Sequence, residues 1–294
     1  MKISLCLPYA KADLDRGLIA DWCRVADEGP FESLSCGERI MGASVDMRVT
    51  LAAAAAWTRR VRIVPSLYVL PMHSAVRVAK EIATLDLLSE GRVTVTVGVG
   101  GRPKDYQAVG ASFVRRHARM DEQVAEMKRV WSGERIFDGA DPIGPTPVQA
   151  GGPPILIGAM GPKAIRRGAE WADGIYAFSM NGMQPEMEGM LGRARGAWKE
   201  AGRTAGPYEA GGFWYSLADG AEEKLKRYVH DYLETTSPEV AKAVAGTMVR
   251  HHPDAVREGL ENMRDAGCEE CYMVAATSDL SEVERLLPLL EGLD

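Results

Sequence analysis

Two glycine-rich turns carry the residue types best suited to chemistry in this chain. Gly98-Val99-Gly100-Gly101-Arg102 closes a run in which Thr and Val alternate, and Gly158-Ala159-Met160-Gly161-Pro162-Lys163 closes the apolar run Ile155-Leu156-Ile157. Glycine lets backbone come close to a ligand, and an Arg directly after it can fork onto phosphate oxygens. In the second turn Pro162 stands where a helix takes its first residue, a position Pro favours because its missing N–H would be unpaired anyway. The free N–H groups of such a first turn, with the helix dipole behind them, attract an anion. Each feature also has a plain reading, a solvated loop arginine and an ordinary strand-to-helix turn. A third cluster, Ser35-Cys36-Gly37-Glu38-Arg39-Ile40, sets a carboxylate beside a guanidinium, and His73 follows Leu70-Pro71-Met72 at a helix start.

These residues need elements to hold them. Short apolar runs at 3–7, 32–36, 62–67, 93–98, 154–158, 174–178, 209–217 and 270–275 read as strands, without the strict alternation of a half-exposed sheet. Helical patterns at 14–28, 46–58, 75–88, 120–131, 161–172, 185–200, 255–266 and 280–290 fill the gaps between them. Eightfold β/α alternation predicts an α/β fold, the (β/α)8 TIM barrel, with the reactive turns gathered at the C-terminal rim of the strands. Two insertions stand out, after strands 4 and 7. Segment 133–154 is rich in Gly and Pro and reads as a surface excursion. Segment 218–252 is helical, with Leu225, Tyr228, Val229, Tyr232 and Leu233 on one stripe, and reads equally as a lid over the mouth or a packing element. Pro65 is unusual inside a central strand and predicts irregular backbone there. With no repeat or linker, residues 1–294 read as one domain.

Composition narrows the function classes. A net charge of −6 over 294 residues gives nucleic acid or an anionic membrane no basic surface to hold. No apolar run reaches the length of a membrane span, and the N-terminus reads as a first strand rather than a signal peptide. The odd number of cysteines, five, fits a reducing cytoplasm, and Cys268-Glu269-Glu270-Cys271 has no second ligand pair, so it reads as two incidental thiols. No metal-binding His/Asp pattern and no GxSxG elbow occur, and an aldolase or isomerase would want a Lys or metal cluster at the strand ends.

Four blocks, in order, carry a family resemblance: Val69-Leu70-Pro71; the 79–88 helix running into Ser89-Glu90-Gly91-Arg92; the 98–102 turn continuing to Asp105-Tyr106 and Gly110; and Pro153-Pro154-Ile155-Leu156-Ile157-Gly158 through Ala164. On these the chain resembles the luciferase-like monooxygenase superfamily, in particular the branch that uses the deazaflavin coenzyme F420. The resemblance implies a bacterial-luciferase-like barrel and a cofactor phosphate at the end of the fifth strand, held by Gly158, Ala159, Met160, Gly161 and Lys163. It implies a phosphate-contacting Arg102 beside Gly100, and a non-prolyl cis peptide at Ser66-Leu67 whose bulge backs the ring. It also implies a homodimer.

The chain departs from the family at one point. Family members often carry an acid followed by a catalytic His after the second strand. Glu38 matches the acid, but Arg39 stands in the His position and, always protonated, is no general base. Arg39 can orient an anionic substrate or stabilise an oxyanion, with Tyr9 and His73 as further substrate-side residues. Glu38 becomes the acid/base candidate, since burial can lift its pKa, with a pocket-shaping ion pair as the equal alternative. The leading expectation is an F420-dependent oxidoreductase acting on a small organic molecule. An FMN-dependent monooxygenase and a non-catalytic cofactor-binding protein are the alternatives.

Overall fold

Strands whose two faces are both apolar must be covered on both sides, and here a parallel sheet rolls up to achieve it. The computed structural model describes residues 1–235 and 237–293. Its strands are β1 (Lys2–Cys6), β2 (Ser33–Cys36), β3 (Arg62–Pro65), β4 (Tyr68–Val69), β5 (Val95–Gly98), β6 (Ile155–Gly158), β7 (Gly174–Phe178), β8 (Tyr208–Tyr215) and β9 (Glu270–Ala275). They run parallel in the order β3-β2-β1-β9-β8-β7-β6-β5-β4. The ring closes where Ile63 bridges to Val93 and its N–H donates to the Arg92 carbonyl at 2.9 Å.

The single strand expected at 62–67 is two pieces. β3 pairs with β2 and β4 pairs with β5, and between them the Ser66–Leu67 peptide bond is cis. Pro65, which has no N–H for the ladder, ends β3. Counted as one broken strand, β3 and β4 give the eight barrel strands that the alternation predicts.

The helices are α1 (Arg16–Glu28), α2 (Met47–Trp57), α3 (Ala75–Leu88), α4 (Pro103–Ala108), α5 (Arg116–Trp131), α6 (Pro162–Ala169), α7 (Gln184–Glu200), α8 (Ala221–Glu234), α9 (Pro238–Gly246), α10 (Pro253–Asp265) and α11 (Ser281–Glu284). Asp15 caps α1 by accepting the Leu18 N–H at 2.8 Å, and the His252 ring caps α10 by accepting from Ala255 at 3.3 Å. The helix expected at 280–290 shrinks to α11 and a 3-10 turn at Leu287–Leu290, because Pro288 cannot continue an α-helix. α4 has no counterpart in the expected helices; six residues carry too little periodicity to register.

Helix and outer strand faces share the main core, while Val64, Leu156, Tyr176, Ala210 and Tyr272 form a separate cluster from alternate strand positions, filling the barrel. Below it Glu270 is buried, accepting from the hydroxyls of Ser4, Ser33 and Tyr208. The N-terminal end is clamped by Arg92, whose guanidinium donates to Ser89, Val61, Ala55 and Thr58 at 2.6–3.0 Å. Segment 133–154 belongs to this end. The Gln149 side chain donates to Asp86 at 2.7 Å and to the Val93 carbonyl at 2.8 Å. Segment 218–252 supplies α8 and α9 at the other end, where Tyr228 and Tyr232 meet Trp214 at the top of β8. Among the described residues no helix is long and apolar enough to cross a membrane.

Candidate active site

The break in the third barrel strand organises the mouth. Leu67 turns its side chain across the ends of β5 and β6, and both strands finish in glycine at the point of contact. A Cβ on Gly158 would stand 2.5 Å from Leu67 Cδ2, and one on Gly98 would stand 2.9 Å from the same atom. Carbon atoms need about 3.5–4.0 Å, so only glycine fits at either place. Ser66 and Leu67 are both half-buried and face the rim. On the opposite side Tyr9 lies flat on the backbone of Gly37, whose Cβ would fall 2.3 Å from Tyr9 Cζ.

Glu38 and His73, 35 positions apart, meet directly. Glu38 Oε1 is 2.7 Å from His73 Nε2, and Glu38 Oε2 accepts the Val69 N–H at 2.7 Å. Their side chains are 5% and 12% exposed, and the His73 ring stands edge-on to Tyr68. Both carboxylate oxygens are therefore engaged, one by the His73 ring and one by the Val69 N–H. A carboxylate only accepts, so Nε2 is the ring nitrogen that donates to Glu38, and Nδ1 is the ring nitrogen left for another partner. The structure thus supplies, from the start of α3, an imidazole that position 39 lacks.

Arg39 and Arg102 also converge. Burial, and then the nearby Arg39 guanidinium, pull the Arg102 pKa down, against the opposing influence of Asp105. Arg102 Nε lies 3.5 Å from Asp105, yet Nε and Nη1 are both buried without a hydrogen-bond partner among the described residues. Buried donors left unpaired cost free energy, and a guanidinium in this state is able to take an anion. Arg39 donates from Nε to the Met41 carbonyl at 3.0 Å and stretches over the Tyr232 ring, 5.8 Å from its centroid.

At the end of β6 the Ala159 N–H is already used by the ladder, donating to the Tyr176 carbonyl at 3.3 Å. The N–H groups of Met160, Gly161, Lys163 and Ala164 have no partner among the described residues, and no side chain caps α6. Met160 and Lys163 are exposed above this turn. Gly100 makes the matching turn after β5 with a φ of 57° and rests against Val69.

Residues 1–284 match the luciferase-like monooxygenase family. The chain belongs to that family. An uncharacterised protein of Mycobacterium tuberculosis is 35% identical over 139 residues, which are 45% of this chain and 49% of that protein, so the match spans about half of that relative's length. The F420-dependent glucose-6-phosphate dehydrogenase of Kineococcus radiotolerans is 26% identical over 90% of this chain and 89% of its own. Among solved structures, a monooxygenase of Streptomyces bottropensis superposes with a TM-score of 0.78 at 24% identity, covering 99% of this chain and 97% of its own, which bears on the fold.

This luciferase-like mouth holds functional candidates that sequence reasoning missed. Lys11, two positions after Tyr9, donates to the Ala276 carbonyl and sits 4.1 Å from the centroid of the Tyr228 ring. Burial draws its pKa down to about 8, although Asp13, Glu282 and Asp231 pull the other way. Its place just past the end of a barrel strand was the available signal. Tyr9 is the reverse case: burial, then Tyr232 and Tyr228, raise its pKa well above the usual phenol range, so it keeps its proton. Glu282, buried under the mouth, accepts from Ser216 at 2.8 Å and Thr277 at 2.7 Å and ties β8 to the loop after β9. Away from the site, Cys268 and Cys271 are buried free thiols whose pKa values burial raises, Cys268 to about 12. His230, Asp231 and Glu234 cluster on α8, mostly exposed.

Proposed function

We propose that this chain is an F420-dependent oxidoreductase that moves hydride between the deazaflavin C5 and a small organic substrate held at the barrel mouth. The observation that carries it is the pair of unmatched donor sets, Arg102 Nε and Nη1 and the free N–H groups of the uncapped α6 turn. Both want an anion, and a cofactor phosphate is one. The likeness to an F420-dependent dehydrogenase over nine-tenths of the chain supports the same cofactor.

The residues present fit the group. Ser66 and Leu67 would lie behind the ring, and Arg102 with Gly161, Lys163 and Ala164 would take the phosphate. When bound, the deazaflavin supplies a two-electron hydride donor or acceptor at C5. The protein's share is then proton handling and exclusion of water. His73, held by Glu38, offers Nδ1 to accept a proton from a substrate hydroxyl or to return one to a carbonyl oxygen. Tyr9 stays protonated and donates a hydrogen bond to substrate oxygen. Arg39 faces developing negative charge without trading protons. α8 closes the mouth on the side of Tyr228 and Tyr232.

A fluorescence titration with F420, with FMN in parallel, tests this reading. Each hydrogen bond to a charged group contributes about 1.5–3 kcal/mol, so Arg102→Ala is expected to weaken F420 binding by about ten- to a hundredfold. Tighter binding of FMN than of F420 would move the chain to oxygen-activating chemistry. Binding of neither would overturn the reading.

A further inference from the structure

A cavity of about 430 Å³ opens beside Arg39 between residues 10–13 after β1, residues 276–279 after β9 and one face of α8. Four cationic residues line it, Lys11, Arg39, Lys224 and Arg227, with three carboxylates, Asp13, Asp231 and Asp279. The numbers nearly balance, but the commitments do not. Asp13 accepts the Ser278 hydroxyl at 2.6 Å, Asp279 accepts the Ser281 N–H at 2.9 Å, and Asp231 lies 3.3 Å from the neighbouring His230. The cations are far less engaged. Among the described residues the Lys11 side chain has one carbonyl partner, Arg39 uses Nε alone, and the side chains of Lys224 and Arg227 make no hydrogen bond or ion pair. Between these donors stand the rings of Tyr228 and Tyr232.

A wall of half-used cationic donors over two aromatic faces lacks an anion with an apolar frame. We propose that this cavity is the substrate subsite and that it selects an organic anion, a carboxylate or phosphate ester, gripped by Lys11 and Arg39 with its carbon frame on Tyr228 and Tyr232. The proposal rests on the oxidoreductase reading in taking the occupant to be substrate; the site itself does not need the cofactor. Arg39, which replaces the family's frequent His, then serves recognition rather than proton transfer. Lys11 makes the grip pH-dependent. It faces Asp13, Asp231, Asp279 and Glu282 as well as Arg39 and the two phenols, and its ammonium titrates near 8. An anion binds the charged form, so affinity falls as pH rises through that value.

Calorimetric titration of the full chain with benzoate, phenyl phosphate and the neutral control benzyl alcohol tests this, at about pH 7 and about pH 9.5 on either side of the Lys11 titration. One or both anions are expected to bind at least about tenfold tighter than the alcohol at the lower pH. Lys11→Met should remove most of that preference while leaving benzyl alcohol and F420 binding unchanged, which also shows that the variant is folded. Lys11→Arg should keep the preference and flatten its pH dependence. Equal binding of alcohol and anions, or anion binding untouched by Lys11→Met, overturns the proposal. So does a parallel loss of F420 binding in Lys11→Met, since the anion would then be the cofactor's own. Anion selectivity without F420 binding would overturn the cofactor reading and leave this site standing.

Discussion

Replacing Gly158 by Ala tests whether the Leu67 wedge sets the floor of the mouth. The added Cβ would lie 2.5 Å from Leu67 Cδ2, with the Val97 carbonyl oxygen at 3.5 Å and Thr96 Cγ2 at 3.6 Å behind it. Against a normal carbon contact of about 3.5–4.0 Å, the isobutyl group must retreat by at least about 1 Å. It cannot slide towards β5, because a Cβ at Gly98 would already be 2.9 Å from the same atom, which places Leu67 hard against that backbone. Leu67 is half-buried at the rim, so its side chain is expected to move up into the mouth. Overpacking costs about 1–3 kcal/mol, and a half-buried side-chain end belongs at the lower limit. At about 2–4 °C per kcal/mol for chains somewhat shorter than this one, the melting temperature should fall by a few degrees. F420 affinity should fall more steeply, by at least about tenfold, because the displaced group enters the space the ring would take. Thermal melts and F420 titrations of Gly158→Ala, Leu67→Ala and the double variant form a cycle with a coupling of about 0.5–3 kcal/mol. A Gly158→Ala protein that melts and binds as the parent does would refute the wedge. Loss of stability without loss of binding would keep the wedge and remove Leu67 from the ring site.

Other substitutions probe the remaining contacts. Glu38→Ala strands the Val69 N–H and His73 Nε2 and should cost about 1–3 kcal/mol in denaturant unfolding, with Glu38→Gln milder because it keeps an acceptor. Arg92→Lys breaks the guanidinium fork under the barrel and should cost about 2–3 kcal/mol, with cofactor affinity unchanged. Lys11 has a folded pKa of about 8 against 10.5, so the folded state holds fewer protons between those values. Stability should therefore rise with pH across that window, and the burial cost should be fully present below it. Lys11→Met should abolish that slope and, at neutral pH, gain about 1–2 kcal/mol in urea melts.

The fold was legible because the barrel strands and most of the longer helices announce themselves locally, while the six-residue α4 does not. Eight apolar runs and their helices give the barrel, and Pro65 marks the interruption in its third strand. The position of the cis bond came from the resemblance rather than from any local signal. Segment 133–154 was visible as an excursion, but the contact between Gln149 and Asp86 that sends it to the N-terminal end is a long-range event. The site was legible as a set of rim positions and not as a set of partnerships. Glu38 and His73 are far apart in sequence, and nothing in either neighbourhood says that they bond. Arg102 and Arg39 come from different strand ends, and their mutual repulsion exists only after folding. Lys11 had only its place past a barrel strand to mark it until α8 and the loop after β9 half-buried it. Burial and pairing are properties of the closed ring, so sequence pattern could nominate these residues without assigning what each touches.

The arginine clamp beneath the barrel has a consequence for how such a chain diversifies. Arg92 ties α2, β3 and the end of α3 together through backbone carbonyls, which every substitution of neighbouring side chains leaves in place. Arg60 does the same for the end of α1, through the carbonyls of Ala26, Asp27, Gly29 and Phe31. Both guanidinium anchors thus stand at the N-terminal pole of the barrel, away from the mouth. The loops after β1, β2 and β9 and the helix α8 can be rewritten, in nature or in the laboratory, with the folding problem already solved underneath them. Libraries that randomise Ala10, Arg39, Arg227 and Tyr232 while leaving Arg60 and Arg92 untouched should retain a high fraction of folded members, and would make this chain a scaffold for altered substrate choice.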